Sequence, residues 1–257
     1  MKPLTNRQLW DDKLHAGPIR HILPRPGRRQ LDYVVAGLLD RHLRGLQGGR
    51  VLELGCGGSV WMPYIALRHG MEVSGVDFSS RGLEKSRRIL QANQVEAELI
   101  EADILMPDGI RTAPYEAIFS LGFLEHFSDP HPVLESAARL LRAHGILLSW
   151  VPSTECIQFE LNARWSPELE GLHYLTSREG WINLHSDAGF EVLEADYVQW
   201  MDFSMLTFPG IPAIAQKILY MILTAGGLPM IWLERFLGIR LRSRRLCMGL
   251  VIAARKR

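Results

Sequence analysis

The stretch VLELGCGGS, from Val51 to Ser59, places a short apolar strand directly before a cluster of glycines. Glycines at such a turn let the backbone approach a ligand closely. The N-terminus of the helix that follows is a favourable place for negative charge. The stretch therefore predicts a strand, a ligand-binding loop and a helix, in that order.

Outward from this loop, apolar runs that read as strands alternate with segments of helical spacing. A helix is predicted over Gln30–Leu43, and a capping box from Thr176 to Glu179 predicts the start of another. A last strand, Leu246–Ala254, is expected to lie antiparallel. Strands that alternate with helices predict a parallel sheet covered on both faces. The other strand candidates are RVLELG at 50–55, MEVSGVD at 71–77, AELIEAD at 97–103, YEAIFSLG at 115–122, GILLSWVP at 145–152 and GFEVLEADYVQW at 189–200.

Composition limits the classes of protein that this chain can belong to. Its 257 residues and 47% hydrophobic content suit one globular domain with a substantial core. The 29 basic and 28 acidic residues nearly cancel, which argues against a nucleic-acid binder. Three cysteines lie far apart, so neither a disulfide framework nor a zinc spacing is visible. The charged start lacks an apolar signal core, and we expect a cytoplasmic protein.

The spacing of acidic residues around the glycine loop favours one cofactor class over another. A dinucleotide fingerprint needs a third glycine where this chain has Val60. Glu53 would oppose a pyrophosphate, but it suits the amino group of an amino-acid moiety. Asp77 ends the next strand, where its carboxylate can accept hydrogen bonds from two ribose hydroxyls. These residues favour S-adenosylmethionine over NAD.

Several of these residues also have a purely structural interpretation. Asp77 could instead cap the helix that starts near Ser79. Asp103, at the end of the third strand, is placed for an adenine amine but could simply form an Asx turn. Cys56 is expected to contribute its backbone alone, since a buried free cysteine behaves as a small hydrophobe.

Five motifs together resemble the class I S-adenosylmethionine-dependent methyltransferases: ELGCG, GVDFS, EADIL, SLGFLEHFSDP and LLRAHGILLSWVP. The resemblance covers about 48–153 and extends more weakly to Trp200. It implies a Rossmann-like, doubly wound α/β fold with a mostly parallel seven-stranded sheet and one antiparallel strand. It also implies that the N-terminal segment closes over the cofactor. The implied cofactor contacts are Trp10, Glu53, Gly55, Cys56, Gly57, Asp77, Phe78, Asp103, Ile104, Ser120, Leu121 and Gly122.

Two histidines are candidates for a general base, which methyl transfer needs only when the acceptor must lose a proton, as a hydroxyl does. His126 follows the fourth strand, and His173 lies where this family often contacts the acceptor. His126 could instead only orient its loop. Trp165 and Tyr174 are candidate walls of an acceptor pocket, whereas His185 is expected in the core. No metal site is predicted.

The resulting hypothesis is a methyltransferase that acts on a small molecule, through the oxygen of a sugar, a lipid-linked compound or a secondary metabolite. One alternative keeps the cofactor but closes a ring or transfers an aminopropyl group, releasing methylthioadenosine. Another is a non-catalytic, cofactor-binding partner subunit. The predicted organisation is a single domain over 1–257, with an N-terminal helical cap (1–45), a cofactor-binding core (48–155) and a hydrophobic helical insertion or lid (203–243).

The insertion is unusual because Lys217 is the only charged residue between Phe203 and Leu233. Two short helices are predicted, Ala213–Ala225 and Pro229–Leu237. A spanning helix needs ~20 apolar residues, so the longest uncharged run, Ile218 to Leu233, is too short to cross a bilayer. The helices could pack on the enzyme body, form a homodimer or cover the acceptor site. We also expect peripheral membrane contact through 203–245, because five arginines follow: Arg235, Arg240, Arg242, Arg244 and Arg245.

Overall fold

Seven strands form one sheet in the order β3-β2-β1-β4-β5-β7-β6. The structure is a computed structural model that describes residues 4–5, 7–11, 22–106, 110, 114–165, 171–202, 206 and 210–257. The strands are β1 Arg50–Leu54, β2 Glu72–Asp77, β3 Ala97–Glu101, β4 Tyr115–Leu121, β5 Leu141–Pro152, β6 Phe190–Trp200 and β7 Cys247–Lys256.

The strand directions confirm the predicted fold class. β1 pairs in parallel with β2 and β4, β2 with β3, and β4 with β5. β7 runs antiparallel between β5 and β6, as predicted for the last strand. The carboxyl ends of β1, β2, β3 and β4 therefore meet at one edge of the sheet, where ligands of open α/β sheets bind.

Helices cover both faces of the sheet and divide the core into two apolar clusters. On one face, α2, α3 and α4 pack through side chains such as Leu38, Met62 and Leu83. On the other, α5 and α7 bury Leu134 and Trp181. The described helices are α1 Arg7–Leu9, α2 Gln30–His42, α3 Trp61–His69, α4 Ser80–Ala92, α5 His131–Leu140, α6 Ile157–Trp165, α7 Arg178–Asp187, α8 Ala213–Gly226 and α9 Leu228–Leu237.

The start of α7 differs by one residue from the predicted capping box. Ser177, not Thr176, is the N-cap, and its hydroxyl accepts a hydrogen bond from the Gly180 N–H at 3.1 Å. The carbonyl of Thr176 instead accepts from the Thr154 hydroxyl at 2.9 Å. Glu179, the expected capping partner, pairs with Arg178. The long-range bond to Thr154 fixes the chain two residues before α7 begins.

The insertion forms two helices within one residue of the predicted bounds. α8 and α9 are separated by Gly227, whose φ of −77° and ψ of −16° are right-handed helical. The backbone therefore continues almost unbroken, and the 24 residues Ile214–Leu237 are long and apolar enough to cross a membrane by length and composition. Helical continuity through Gly227 joins the two short segments into a helix longer than the uncharged run from Ile218 to Leu233. That this segment does not cross a membrane stays a prediction.

His185 lies in the core, as expected, and predicts how stability depends on pH. Its ring is fully buried between Trp181 and Phe190, and Nδ1 donates to the Trp181 carbonyl at 2.8 Å. Burial lowers the pKa of His185 to about 4. The unfolded chain therefore binds the proton more readily, and folding stability is lost as the pH falls from about 6.5 towards 4.

We expect a His185→Phe variant to flatten this part of the curve of unfolding free energy against pH. The wild-type loss assigned to His185 is at most about 3 kcal/mol, the value of a pKa difference of this size. Urea unfolding at a series of pH values measures it. His131→Phe, at the start of α5, is the control and should leave the slope unchanged. Equal slopes for wild type and His185→Phe would contradict the assignment.

Candidate active site

A cavity of about 780 Å³ opens at the carboxyl ends of β1, β2, β3 and β4. This is the edge at which the sequence placed the cofactor motifs, and the volume lies within the ~300–1,000 Å³ usual for small-molecule sites. Eighteen residues line it: Thr5, Arg7, Trp10, Gly55, Gly57, Val76, Asp77, Phe78, Glu101, Ala102, Asp103, Ile104, Leu105, Leu121, Gly122, Phe123, His126 and Phe127.

The glycine loop after β1 forms the floor of the cavity. Gly55 has a φ of +69°, which favours glycine, and a Cβ at this position would overlap the ring of Phe123. Both the backbone angle and the space therefore require glycine. The loop brings bare backbone to the cavity surface, as the motif predicted.

Asp77 holds the loop in place and still faces the cavity. Its Oδ2 accepts a hydrogen bond from the Gly57 N–H at 2.8 Å, and its Oδ1 accepts one from the Ser79 N–H at 2.8 Å. A carboxylate offers about four acceptor sites, and Asp77 is also one of the residues that line the cavity. The two interpretations of Asp77 are thus compatible, because one side chain supports the turn before α4 and presents a carboxylate to the cavity.

Five more of the predicted cofactor contacts also belong to the cavity wall. Phe78, Asp103, Ile104, Leu121 and Gly122 all line it. Asp103 also accepts a hydrogen bond from the Leu105 N–H at 2.9 Å, the Asx turn considered as its alternative. These residues meet here because β2, β3 and β4 end at the same edge.

Three predicted cofactor residues lie behind the cavity wall. Glu53 accepts a hydrogen bond from the Ser59 hydroxyl at 2.6 Å, and burial raises its pKa to about 8. Cys56 is fully buried, and Ser120 is fully buried with its hydroxyl 3.2 Å from that of Ser149. None of the three side chains lines the cavity as the structure describes it, so their direct contact with cofactor stays a prediction.

The N-terminal segment bridges two walls of the cavity. The Leu4 N–H donates to the His126 carbonyl at 2.8 Å, and Arg7 lies 3.3 Å from Glu101, at the end of β3. The Trp10 ring contacts His126 edge-on, with centroids 5.1 Å apart. Residues 4–5 and 7–11 therefore reach the site in the manner expected of a cap; much of the segment, 12–21, lies outside the described residues. α2, which belongs to the predicted 1–45 cap, packs on the sheet instead.

The two candidate bases lie side by side. The rings of His126 and His173 are 5.2 Å apart, and His126 lines the cavity whereas His173 packs behind it against Phe159. Nδ1 of His126 is 3.0 Å from the Leu172 carbonyl, which makes Nδ1 the protonated nitrogen and Nε2 the acceptor. Burial lowers the pKa of His126 to about 4, so its ring is neutral at pH 7.

Glu125 joins this pair and was not predicted. It is buried, burial raises its pKa to about 8, and its Oε2 has no hydrogen-bond partner among the described residues. Ligand atoms of Glu125, His126 and His173 all lie within 4.8 Å of one another. Such a cluster can accept protons or hold a divalent cation, and the prediction of no metal stays a prediction.

The predicted acceptor walls lie outside the cavity lining. The Tyr174 ring packs edge-on against Trp181, with the ring centroids 5.8 Å apart. The backbone N–H of Tyr174 donates a hydrogen bond to the Glu125 carbonyl. Trp165 ends α6 next to residues that the structure leaves undescribed. Their roles stay predictions. Some residues that line the cavity were not predicted from the sequence: Thr5, Arg7, Glu101, Phe123 and Phe127. Phe123 and Phe127 belong to the run SLGFLEHF, where two aromatic residues four positions apart could have indicated them.

Comparison with known proteins decides the family. A family model described as a methyltransferase domain matches residues 28–195, about two thirds of the chain. The chain is a class I S-adenosylmethionine-dependent methyltransferase. The ubiquinone biosynthesis O-methyltransferase of Alkalilimnicola ehrlichii is 33% identical over 138 residues, which cover 53% of this chain and 51% of that protein. The counterpart from Nitrosomonas europaea is 30% identical over 138 residues, 53% of this chain and 54% of that protein. The methyltransferase thus matches about half the length of these curated relatives.

Solved structures agree on the fold. The [4+2]-cyclase SpnF superposes with a TM-score of 0.64 at 17% identity, covering 99% of the methyltransferase and 96% of the cyclase. Geranyl diphosphate C-methyltransferase from Streptomyces coelicolor has a TM-score of 0.61 at 13% identity, covering 88% and 80% of the two chains. At these identities the similarity extends to the fold and not to the substrate.

S-adenosylmethionine is the cofactor of the methyltransferase, and the cavity fits it. The Gly55–Gly57 backbone and the Asp77 carboxylate offer contacts for an amino-acid moiety and a ribose, while Ile104 and Phe78 offer apolar surface for a base. When bound, the cofactor supplies an electrophilic methyl group on a sulfonium. The chain's own residues position it and exclude water from it.

Proposed function

We propose that this methyltransferase methylates a hydroxyl oxygen on a hydrophobic small molecule, of the lipid-linked or aromatic kind. The observation that carries the proposal is the neutral His126 ring, which stands in a mostly apolar cavity wall. Its neighbours there include Phe123, Phe127 and Trp10. The curated relatives named for ubiquinone biosynthesis add support for oxygen as the acceptor atom.

The chemistry assigned to His126 follows from its tautomer. Nδ1 is committed to the Leu172 carbonyl, so Nε2 can accept a hydrogen bond from an acceptor hydroxyl. When the sulfonium–methyl bond breaks and a neutral thioether leaves, the acceptor oxygen would gain the methyl group and Nε2 would take the hydroxyl proton. His173 orients the His126 ring from behind and takes no direct part. Because a pKa of about 4 makes His126 a weak base, most of the rate is assigned to positioning and exclusion of water.

The lining favours one of the acceptor classes predicted from the sequence. A sugar needs many polar partners, whereas aromatic and aliphatic side chains suit a ring or a lipid-like group. Leu121, Phe123 and Phe127 stand beside His126 in the wall. We therefore favour a hydrophobic phenol or a lipid-linked hydroxyl compound over a free sugar.

A matched pair of phenols tests this choice. The two share one head group and differ in the length of the alkyl tail, and transfer of a labelled methyl group is followed for each. We expect kcat/KM to be at least tenfold higher for the long-tailed phenol, because more apolar area is buried. Equal values, or a preference for a sugar acceptor from the same panel, would refute the hydrophobic acceptor.

Product analysis in the same assay separates methyl transfer from the alternative chemistries. We expect one S-adenosylhomocysteine for each methylated acceptor. Methylthioadenosine in its place would establish ring closure or aminopropyl transfer. Turnover that required a second protein would instead support a partner-subunit role.

A further inference from the structure

A continuous apolar stripe runs along α8 and α9 on the outside of the molecule. Its residues repeat at intervals of three and four, which places them on one face of a helix. The stripe continues across Gly227 because that residue is itself helical. No described side chain of α8 is buried. The stripe consists of Ile214, Ile218, Met221, Ala225, Leu228, Trp232 and Phe236, and its large side chains are 40–73% exposed.

One flank of the stripe is positively charged. Between residues 203 and 233 there is no acidic residue, and Lys217 is the single basic one. Lys217 and Arg235 each precede a stripe residue by one position, so both lie on the same flank and both are exposed. The Arg235 guanidinium lies over the Phe236 ring, 5.6 Å from its centroid. The flank therefore complements a negatively charged surface.

The arginines that follow have other partners, which corrects the cluster expected from the sequence. Arg240 pairs with Glu234 at 3.3 Å, Arg242 with Asp196 at 3.1 Å and Arg244 with Glu155 at 2.7 Å. Arg245 pairs with Glu160. Since these four charges are paired within the protein, Lys217 and Arg235 remain as the cations beside the stripe among the residues that the structure describes.

The inner side of α9 is held by the body of the enzyme. Ile231 is buried, α9 packs on α2, and a Cβ on Gly227 would approach the Gln30 side chain to 2.8 Å. A helix that crossed a bilayer would face lipid all round. One side anchored to protein and one side apolar and exposed is instead the pattern of a helix that lies in the interfacial plane.

We propose that the α8–α9 stripe binds the surface of an anionic lipid bilayer, with the apolar face in the headgroup–acyl boundary and Lys217 and Arg235 at the phosphates. None of the described insertion residues lines the cofactor cavity, so this surface is separate from the methyl-transfer site. The proposal does not depend on the identity of the acceptor. Its test accordingly needs no activity measurement.

Flotation with vesicles of phosphatidylcholine and phosphatidylglycerol tests the proposal on the full chain. Wild type should float with the vesicles. A double variant, Met221→Glu and Trp232→Glu, should lose at least tenfold in the bound fraction, because both side chains are exposed on the stripe. The control is Leu67→Glu, an equally exposed apolar residue on α3, which should bind like wild type. Thermal melting verifies that each variant is folded.

The cationic flank has its own variant. The double variant Lys217→Glu and Arg235→Glu should bind the phosphatidylglycerol vesicles more weakly than wild type, by roughly fivefold or more for each residue. Its binding to vesicles of pure phosphatidylcholine should be close to that of wild type.

Three results would overturn the proposal. The first is that wild type stays in the soluble fraction at low salt. Bound protein that resists alkaline carbonate extraction would establish a spanning segment instead. A dimer that forms without vesicles and is abolished by the Met221 and Trp232 changes would assign the stripe to a second copy of this chain.

Discussion

Replacing Asp77 with alanine should weaken S-adenosylmethionine binding by a hundredfold or more. The change removes the carboxylate that faces the cavity and, with it, the acceptors for the Gly57 and Ser79 N–H groups. Each hydrogen bond to a charged group is worth ~1.5–3 kcal/mol, and every 1.4 kcal/mol is a factor of ten in affinity. Calorimetric titration with the cofactor measures the loss directly.

A carboxylate at the opposite end of the same strand provides the control. Glu72 begins β2 and is exposed, so Glu72→Ala should bind the cofactor like wild type. Asp77→Asn, which retains one acceptor oxygen, should fall between wild type and Asp77→Ala. If Asp77→Ala bound within threefold of wild type, the carboxylate would serve only the turn before α4.

Replacing His126 with alanine should lower kcat by about 10²-fold, the lower end of the usual contribution of a general base, because a ring with a pKa of about 4 is a weak base. Cofactor affinity should change far less, because the Gly55 loop and Asp77 are untouched. The acid limb of kcat/KM for wild type should lie near pH 4, where burial places the pKa of His126, and not near 6.5. Steady-state kinetics from pH 3.5 to 8 would show both effects, within the range where the fold persists.

Two comparisons separate proton transfer from other roles of His126. His131→Ala, five residues further along, should keep the wild-type kcat. Treatment with a chelator should also leave the rate unchanged. Loss of activity on chelation, with recovery on adding a divalent cation, would identify Glu125, His126 and His173 as metal ligands and refute the base.

The cofactor side of the site was predictable because each of its motifs is local. Gly55, Asp77 and Ile104 lie at the ends of their strands or within three residues after them, and parallel strands bring those ends to one edge. A strand pattern and a turn signal were therefore enough to gather them into one cavity. The two helices of the insertion were predictable for a similar reason, since Gly226, Gly227 and Pro229 mark the junction between them within a long apolar run.

The parts that sequence did not predict depend on contacts between distant segments. Arg7 reaches Glu101 across 94 residues, and Arg244 finds Glu155 far upstream. Sequence spacing does not predict such long-range ion pairs, so the acidic partners of the arginine cluster could not be expected from the sequence. The partner of Glu53 also required the structure, because a strand pattern does not show that this carboxylate accepts a hydrogen bond from Ser59.

The central claim is transfer of a methyl group to oxygen in the cavity beside His126. The most direct measurement uses S-adenosylmethionine with a ¹³C-labelled methyl group, a long-tailed phenol and carbon NMR of the product. We predict a single labelled resonance in the methoxy range, with S-adenosylhomocysteine formed in equal amount. Label in the N-methyl or C-methyl range, or methylthioadenosine as the by-product, would contradict the account.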